Sequence, residues 1–142
     1  MMTSIGASRF LDTNVLLYAY DQNAPEKRRR AMLYLEQAWN NLGSTAISVQ
    51  VLQEFHVNAV RMGMDLRELR YLIEDFCHWP VVDNSIDLLG RSMDLYDRWQ
   101  ISLWDALVLA AAEMSGASEL ISEDLNHEQY YGTVQVINPF RV

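Results

Sequence analysis

Short apolar runs alternate along the chain with longer segments in which apolar residues recur every three or four positions. This pattern predicts strands that alternate with helices. The predicted strands are Arg9 to Asp12, Thr45 to Ile47, Pro80 to Val82, Glu119 to Ser122 and Val134 to Ile137. The predicted helices are Asn14 to Asp21, Pro25 to Asn41, Ser48 to Arg61, Asp65 to His78, Ser85 to Trp99 and a last helix that starts at Ser102 and is ended by Gly116. This alternation is typical of an α/β fold with a mainly parallel sheet covered by helices on both faces.

The predicted helix over Ser85 to Trp99 has apolar residues spaced so that they lie on one face of the helix. These residues are Ile86, Leu89, Met93 and Tyr96. The segment from Asp124 to Tyr131, between the last two strands, has no predicted element.

Length and composition favour one domain over residues 1–142. Half of the 142 residues are hydrophobic, which is enough for one compact core. No apolar run reaches the roughly 18 residues that span a bilayer, so we expect no membrane segment and a cytoplasmic protein. The lone Cys77 is predicted to be a small helix-packing residue rather than a nucleophile.

The charge is unevenly distributed. The net charge is −8, which argues against broad nonspecific binding of nucleic acid. Residues 1–82 nevertheless hold nine acids and eight bases, so most of the excess lies in the second half. The basic run Lys27, Arg28, Arg29 and Arg30 is a candidate contact for a phosphate backbone. Alternatively, it is a solvated helix face balanced by Glu26 and Glu36.

Four acids occur where the predicted elements begin or end. Asp12 follows the first strand directly and precedes a helix, which places its carboxylate at the carboxyl edge of the sheet, where ligands gather in open α/β folds. Glu54, Asp105 and Asp124 occupy comparable positions. Clustered carboxylates repel one another, and a bound divalent cation relieves this repulsion.

Each acid also has a structural explanation. Asp105 fits a capping box with Ser102, and Asp124 fits a cap for the turn after it. Glu54 fits a polar stripe with its helical neighbours. For Asp12 a structural role is the least satisfactory, because an isolated charge after an apolar strand is costly unless it meets a cation or hydrogen-bond donors.

Four segments together resemble the PIN-domain nucleases, and within them the VapC-type toxin ribonucleases of toxin–antitoxin systems. Phe10 to Asn14 is similar to the opening motif of that family, and Val51 to Glu54 to its helix-borne glutamate. Ser102 to Ala106 resembles the third acidic motif, and Leu120 to Asp124 the last. The resemblance covers nearly the whole chain and implies a three-layer α/β/α fold.

The resemblance implies a metal-dependent endoribonuclease that uses Mg²⁺ or Mn²⁺. Asp12, Glu54, Asp105 and Asp124 would be the metal-binding and catalytic acids, with Glu123 as an alternative to Asp124. Thr13, Asn14 and Ser102 would be polar supports. Both ions prefer oxygen ligands, and a water activated by the ion would attack the RNA phosphodiester without a side-chain nucleophile.

The resemblance also implies partners: an RNA substrate, a small antitoxin and a second copy of the chain in a homodimer. Apolar residues of the early helices and of the helix around Leu69, Leu72 and Phe76 would form the antitoxin groove and a dimer face. Three alternatives remain open. These are an RNA-processing PIN nuclease without antitoxin, a catalytically silent binding module, and a phosphoaspartyl phosphatase, although the phosphatase needs an acid where Asn14 stands.

Two residue types suggest other chemistry that we expect to be absent. The histidines His56, His78 and His127 lie on separate segments and lack the close pairing of a zinc site. The four tryptophans are able in principle to stack on unpaired bases. We expect most of them to pack between helices.

Overall fold

A six-stranded sheet forms the centre of the part of the chain that the computed structural model describes, residues 6–141. Its strands are β1 (Arg9–Leu11), β2 (Thr45–Ser48), β3 (Val81–Val82), β4 (Glu119–Ile121), β5 (Tyr130–Tyr131) and β6 (Val134–Ile137). They lie in the order β3-β2-β1-β4-β6-β5, and neighbours are parallel except for β5 and β6. The predicted α/β fold with a mainly parallel sheet is confirmed.

The helices also follow the predicted order. They are α1 (Thr13–Tyr18), α2 (Pro25–Asn40), α3 (Val49–Arg61), α4 (Leu66–Phe76), α5 (Ile86–Trp99) and α6 (Leu103–Met114). Two helices end earlier than predicted because the chain tightens into turns. The amides of Tyr20 and Asp21 donate to carbonyls three residues back, as does the amide of His78 after α4.

The core lies between the sheet and helices α3 and α6. Phe10 and Leu11 of β1 are fully buried, since this strand lies at the centre of the sheet. Helix α6 contacts β2, β4 and β6. Its buried alanines, such as Ala110 and Ala112, have short side chains that let the helix approach the sheet closely. Helix α3 contacts α1, α4 and β2, so the helices around β1 form one packed unit.

Strand β5 lies inside the segment for which the sequence predicts no element. It has only two residues, too few for apolar alternation to be visible. Tyr131 pairs with Val134 across a tight turn in which Gly132 has a φ of 68°. Glycine adopts this left-handed conformation at little cost, and the turn therefore allows the edge strand to form.

The predicted antitoxin groove around α4 is wrong in its residues. Leu69 and Phe76 are fully buried, and Leu72 packs against the core. Phe76 belongs to an aromatic cluster with Phe55 and Trp79, whose ring centroids lie 5.6 and 5.0 Å from its own. Leu69 and Phe76 therefore pack within the domain and are not accessible to a partner, whereas Leu66 and Tyr71 of the same helix are exposed.

Cys77 is also placed differently from the prediction. It follows the last residue of α4 and is exposed, so it does not pack between helices. Phe76, one position earlier, takes the inward-facing place. The different exposures of these neighbours follow from the rotation of about 100° per residue along a helix.

The apolar face of α5 identified by its spacing lies on the outside of the domain. Ile86 is 83% exposed and Met93 55%, and Leu89 and Tyr96 are exposed as well. Helix α5 packs on α6 through a different face, which contains Leu88 and Leu95. We call Ile86, Leu89, Met93 and Tyr96 the α5 stripe. Within residues 6–141, no helix has the length and apolar character needed to cross a membrane.

Candidate active site

Asp12 occupies a buried position at the carboxyl end of β1. It caps α1, and its Oδ1 accepts a hydrogen bond from the backbone amide of Thr13 at 2.7 Å. Its Oδ2 accepts from the hydroxyl of Ser122, also at 2.7 Å. The residue is only 5% exposed, so this carboxylate is separated from most of the solvent that would stabilise its charge.

The pKa of Asp12 is raised from its ordinary value of 3.8 to about 7. Burial is the main cause, and the neighbouring carboxylates of Asp124 and Glu54 raise the pKa further. The hydrogen bonds from Ser122 and Thr13 act in the opposite direction because they stabilise the charged form. A carboxylate with this balance requires a nearby cation to be fully ionised near neutral pH.

Ser122 connects the first and the last acidic segments. It follows β4 directly, and the pairing of Leu11 with Ile121 brings it beside Asp12 at the sheet edge. Its hydroxyl donates to Asp12, and the same oxygen accepts the backbone amide of Asp124 at 3.1 Å. Ser122 was not among the predicted site residues, although its position directly after a strand parallel to β1 is the signal that places it beside Asp12.

Asp124 and Asn14 face each other across the site. The amide Nδ2 of Asn14 donates to Oδ2 of Asp124 at 3.2 Å. Asp124 is exposed as a residue, but partial burial of its carboxyl group raises its pKa, and the charges of Asp105, Glu123 and Glu54 raise it further. Asp124 is therefore electrostatically coupled to the other acids.

Glu54 approaches from helix α3. Its Oε2 accepts from the hydroxyl of Thr13 at 3.0 Å, and its Oε1 accepts from the amide of Gln50 at 2.9 Å. Thr13 thus donates its backbone amide to Asp12 and its hydroxyl to Glu54. Gln50 lies one helical turn before Glu54 and is buried, so the polar stripe read from the sequence contains a residue that fixes the acid.

Asp105 lies in the first turn of α6. The hydroxyl of Ser102 accepts the backbone amide of Asp105 at 3.0 Å, which is the first half of a capping box. Within residues 6–141 the Asp105 carboxylate has no recorded hydrogen bond to complete the box. It is half-buried and raises the pKa of Asp124, so it remains available as a ligand beside the other acids.

Glu123 and the basic run lie at the margin of this cluster. Lys27 is 3.4 Å from Glu123, and it also donates to the Tyr18 hydroxyl at 3.1 Å. Glu123 is therefore paired with a cation on α2, whereas Asp124 is held by Asn14. The pairing gives the two adjacent acids different environments.

The three arginines of the run are held by other parts of the domain. Arg28 donates to the carbonyl of Ala19, and Arg29 and Arg30 pair with Glu26. Arg30 also donates to the carbonyl of Pro139. The structure thus contains the Glu26 pairing expected of a balanced helix face, and contact of the run with RNA stays a prediction.

The oxygen donors suit a hard divalent cation. The carboxylates of Asp12, Glu54, Asp105 and Asp124 come from four separate segments of the chain, and the buried Oδ1 of Asn14 has no hydrogen-bond partner. Among the described residues, however, no three acids, histidines or cysteines are close enough to hold an ion together. Mg²⁺ retains several waters, so one or two direct carboxylates with water-mediated contacts to the others are sufficient.

The fold and these residues define an α/β protein with acidic side chains gathered near the carboxyl edge of its sheet. The sequence model of the PIN domain matches residues 9–132, and the chain belongs to the PIN domain family. A comparison with curated protein sequences finds no significant match.

Solved structures of toxin–antitoxin systems are similar to this chain. One is a toxin–antitoxin complex from Klebsiella pneumoniae, with 27% identity, a TM-score of 0.71 and coverage of 95% of this chain and 100% of that chain. Another is Mycobacterium tuberculosis VapC20, described as a toxin that cleaves the sarcin–ricin loop, with 17% identity, a TM-score of 0.58 and coverage of 82% and 92%. VapBC2 from Rickettsia felis, bound to promoter DNA, has 19% identity, a TM-score of 0.60 and coverage of 90% and 96%.

Proposed function

We propose that this chain is a metal-dependent endoribonuclease and the toxin of a VapBC-type toxin–antitoxin system. The observation that carries the proposal is the bridged arrangement of the acids. Ser122 joins Asp12 to the backbone of Asp124, and Thr13 holds Glu54 from the other side. The similarity to VapC20 and to the Klebsiella complex supports RNA as substrate and an antitoxin as partner.

Asp12, Asp105, Glu54 and Asp124 would hold Mg²⁺ or Mn²⁺ directly or through water. The chemistry that such an ion supplies is activation of water for attack on a phosphodiester and stabilisation of charge on the leaving oxygen. Ser122 and Thr13 would keep Asp12 and Glu54 in orientation. Asn14 would fix Asp124 through its Nδ2, and its buried Oδ1 would be a further oxygen donor.

The test is cleavage of a pool of small RNAs by the purified protein with Mn²⁺. We expect discrete fragments that disappear when EDTA replaces the metal. Asp105→Asn, purified in the same way, is the control for a contaminating ribonuclease and should not produce those fragments. Equal fragments from parent and variant, or none from the parent, would remove the proposed function and favour a silent binding module.

A phosphomonoester substrate in the same assay tests the phosphatase alternative. A phosphoaspartyl phosphatase needs an acid at position 14 and a lysine at the site. Here Asn14 donates to Asp124, and Lys27 is engaged by Glu123 and Tyr18. We therefore expect no hydrolysis of the monoester. Antitoxin dependence is tested separately by genetic context, because an adjacent reading frame for a small DNA-binding protein separates a toxin from an RNA-processing PIN nuclease.

Two connected grooves fit the antitoxin better than the buried face of α4. A groove of about 660 Å³ lies between the α1–α2 and α3–α4 connections, with Tyr20, Arg28 and Met64 in its walls. It shares Asp21 and Met62 with a groove of about 310 Å³ that reaches Asn14 and Glu123. An extended antitoxin segment would run along this path from the surface to the acid cluster.

The α5 stripe supports the proposed homodimer. Its four apolar side chains follow one exposed helix face, and a contiguous apolar surface of this kind marks a protein contact. Gly90 lies on the same face, and a Cβ built there meets no atom within 4 Å. A mid-helix glycine costs about 1 kcal/mol relative to alanine, and close approach of a second α5 would explain its presence.

Met93→Asp should convert a dimer of this chain into monomers, because the charge would be buried at the centre of the contact. Analytical ultracentrifugation of parent and variant measures the change. Leu33→Asp is the matched control, since Leu33 is 51% exposed on α2 against 55% for Met93. A parent that sediments as a monomer, or a control that dissociates equally, would contradict this assignment of the dimer face.

A further inference from the structure

Trp104 differs from the other three tryptophans in its surroundings. Trp39 and Trp79 contact each other at a centroid distance of 4.9 Å, and Trp99 packs edge-on against Tyr131 at 5.1 Å. Trp104 is 66% exposed. Within residues 6–141 its side chain has no recorded ring contact or hydrogen bond. The indole of Trp104, at the start of α6, therefore has no packing role in the fold.

A pocket of about 210 Å³ lies beside the Trp104 ring, between α3, α5 and the start of α6. Leu88, Leu89 and Leu107 form the apolar wall of the pocket, which therefore borders the α5 stripe at Leu89. The side-chain amides of Gln53 and Asn84 form its polar edge. In the described part of the chain neither amide has a recorded side-chain hydrogen bond, so both retain donors and acceptors. The pocket is smaller than the roughly 300 Å³ at which sites for drug-sized ligands begin, which suits one planar ring.

Two residues that line the pocket are neighbours of the acids. Gln50 lines it and donates to Glu54 at 2.9 Å. Trp104 immediately precedes Asp105 on α6. A group held in the pocket would thus contact Gln50, which binds Glu54, and Trp104, which is the neighbour of Asp105 in the chain.

The chemistry of the lining selects among occupants. No residue lining this pocket carries a charge, so the pocket does not favour a phosphate or a charged peptide side chain. An aromatic face with amide donors and acceptors at its edge matches an unpaired nucleobase, which stacks on aromatic rings and hydrogen-bonds through its Watson–Crick edge. Stacking alone tolerates any base, and the amides are the groups able to discriminate between bases.

We propose that this pocket binds one unpaired nucleobase of the RNA next to the cleaved bond, stacked on Trp104 and hydrogen-bonded by Gln53 and Asn84. The proposal rests on the ribonuclease function and names the substrate class more closely. The substrate is RNA with an unpaired base near the cleavage position, in a loop, a bulge or a single strand.

The experiment measures binding of fluorescent hexaribonucleotides by anisotropy in Ca²⁺, with their integrity checked on a gel. The probes are the four homopolymers and a hexamer of abasic ribose phosphates. We expect Trp104→Leu to weaken binding of the preferred homopolymer about tenfold, within the range known for loss of one base stack. Trp104→Phe should retain most of the affinity. The abasic hexamer should bind parent and Trp104→Leu equally, because it has no base to stack.

Tyr130→Leu is the matched control. Tyr130 is 61% exposed on β5, at the opposite edge of the sheet from β3, so its removal changes the exposed aromatic content without touching the pocket. We expect its binding to equal that of the parent. Asn84→Ala should reduce the differences in affinity between the four homopolymers while leaving the abasic hexamer unaffected.

Three results would overturn the inference. In the first, the parent cleaves RNA and Trp104→Leu binds every homopolymer as tightly as the parent does. The pocket then does not hold a base, and the ribonuclease function stands. If Trp104→Leu dissociates a dimer and leaves RNA binding unchanged, Trp104 is a protein contact. If the parent neither binds nor cleaves any RNA, the ribonuclease function fails and the base pocket fails with it.

Discussion

Asp124→Asn should lower the rate of RNA cleavage by roughly a thousandfold, whereas Glu123→Gln should lower it no more than about tenfold. The first variant removes a charge that faces Asp105 and Glu54 and would face the metal, and metal-ion stabilisation of a transition state amounts to several kcal/mol. At 1.36 kcal/mol per factor of ten, that loss is about three orders of magnitude. The second variant removes an acid that Lys27 already neutralises.

Cleavage under saturating Mn²⁺ with single turnover of a fixed RNA separates the two variants. Their circular dichroism and unfolding midpoints are compared first, since loss of the Lys27 pair slightly destabilises the Glu123 variant. The half-exposed Lys27–Glu123 pair is worth no more than about 1 kcal/mol, so both proteins should fold. Equal losses of activity would place Glu123 in the metal site and contradict the division of roles drawn from Asn14 and Lys27.

The position of Asp12 was predictable from sequence because three independent signals coincide there. An apolar strand ends, a helix begins, and a charged residue stands between them. The parallel register then brings the residue after β4 beside it without further information, since Leu11 pairs with Ile121. Ser122 escaped assignment because a serine after a strand has many uses, and only the register reveals that it bridges two acids.

The exposed surfaces were predicted less well than the order of strands and helices. Periodicity identifies an apolar helix face but does not say what covers it, and α4 and α5 illustrate both outcomes. The α4 residues Leu69 and Phe76 pack into the core, whereas Ile86 and Met93 of α5 face outward. The difference arises from tertiary packing, because α5 uses Leu88 and Leu95 to contact α6 and leaves its other apolar face free.

The same packing explains why the sequence did not distinguish the exposed tryptophan from the other three. Four tryptophans in a small α/β domain are expected to fill the core, and three of them contact other aromatic rings. Trp104 lies two residues after Ser102, which caps α6 by accepting the backbone amide of Asp105. Sequence spacing gives the helix position of Trp104, but only the packing of α5 against α6 leaves its ring beside a pocket.

In the metal-free protein, raising the pH from 5.5 to 8 should destabilise the fold by about 2 kcal/mol through Asp12 alone. The pKa of Asp12 is about 7 in the folded protein and 3.8 ordinarily, so the folded state binds the proton more tightly. The stabilisation of the folded state by protonated Asp12 is fully present below pH 3.8. It is lost as the pH rises towards 7 and changes little above that pH. The complete loss is of the order of 4 kcal/mol at 1.36 kcal/mol per pH unit.

Urea unfolding in EDTA at the two pH values measures this effect, with Asp12→Asn as the comparison. Asparagine is uncharged and similar in shape to aspartate. Between pH 5.5 and 8, the unfolding free energy of the variant should therefore fall by about 2 kcal/mol less than that of the parent. At pH 8 the variant should be as stable as the parent or more stable. Mn²⁺ added at pH 8 should stabilise the parent and not the variant, because only the parent gains a carboxylate ligand. Parallel pH profiles for the two proteins would show that Asp12 is ionised at little cost without metal. In that case, hydrogen bonds from Ser122 and Thr13 alone would be sufficient to hold its charge.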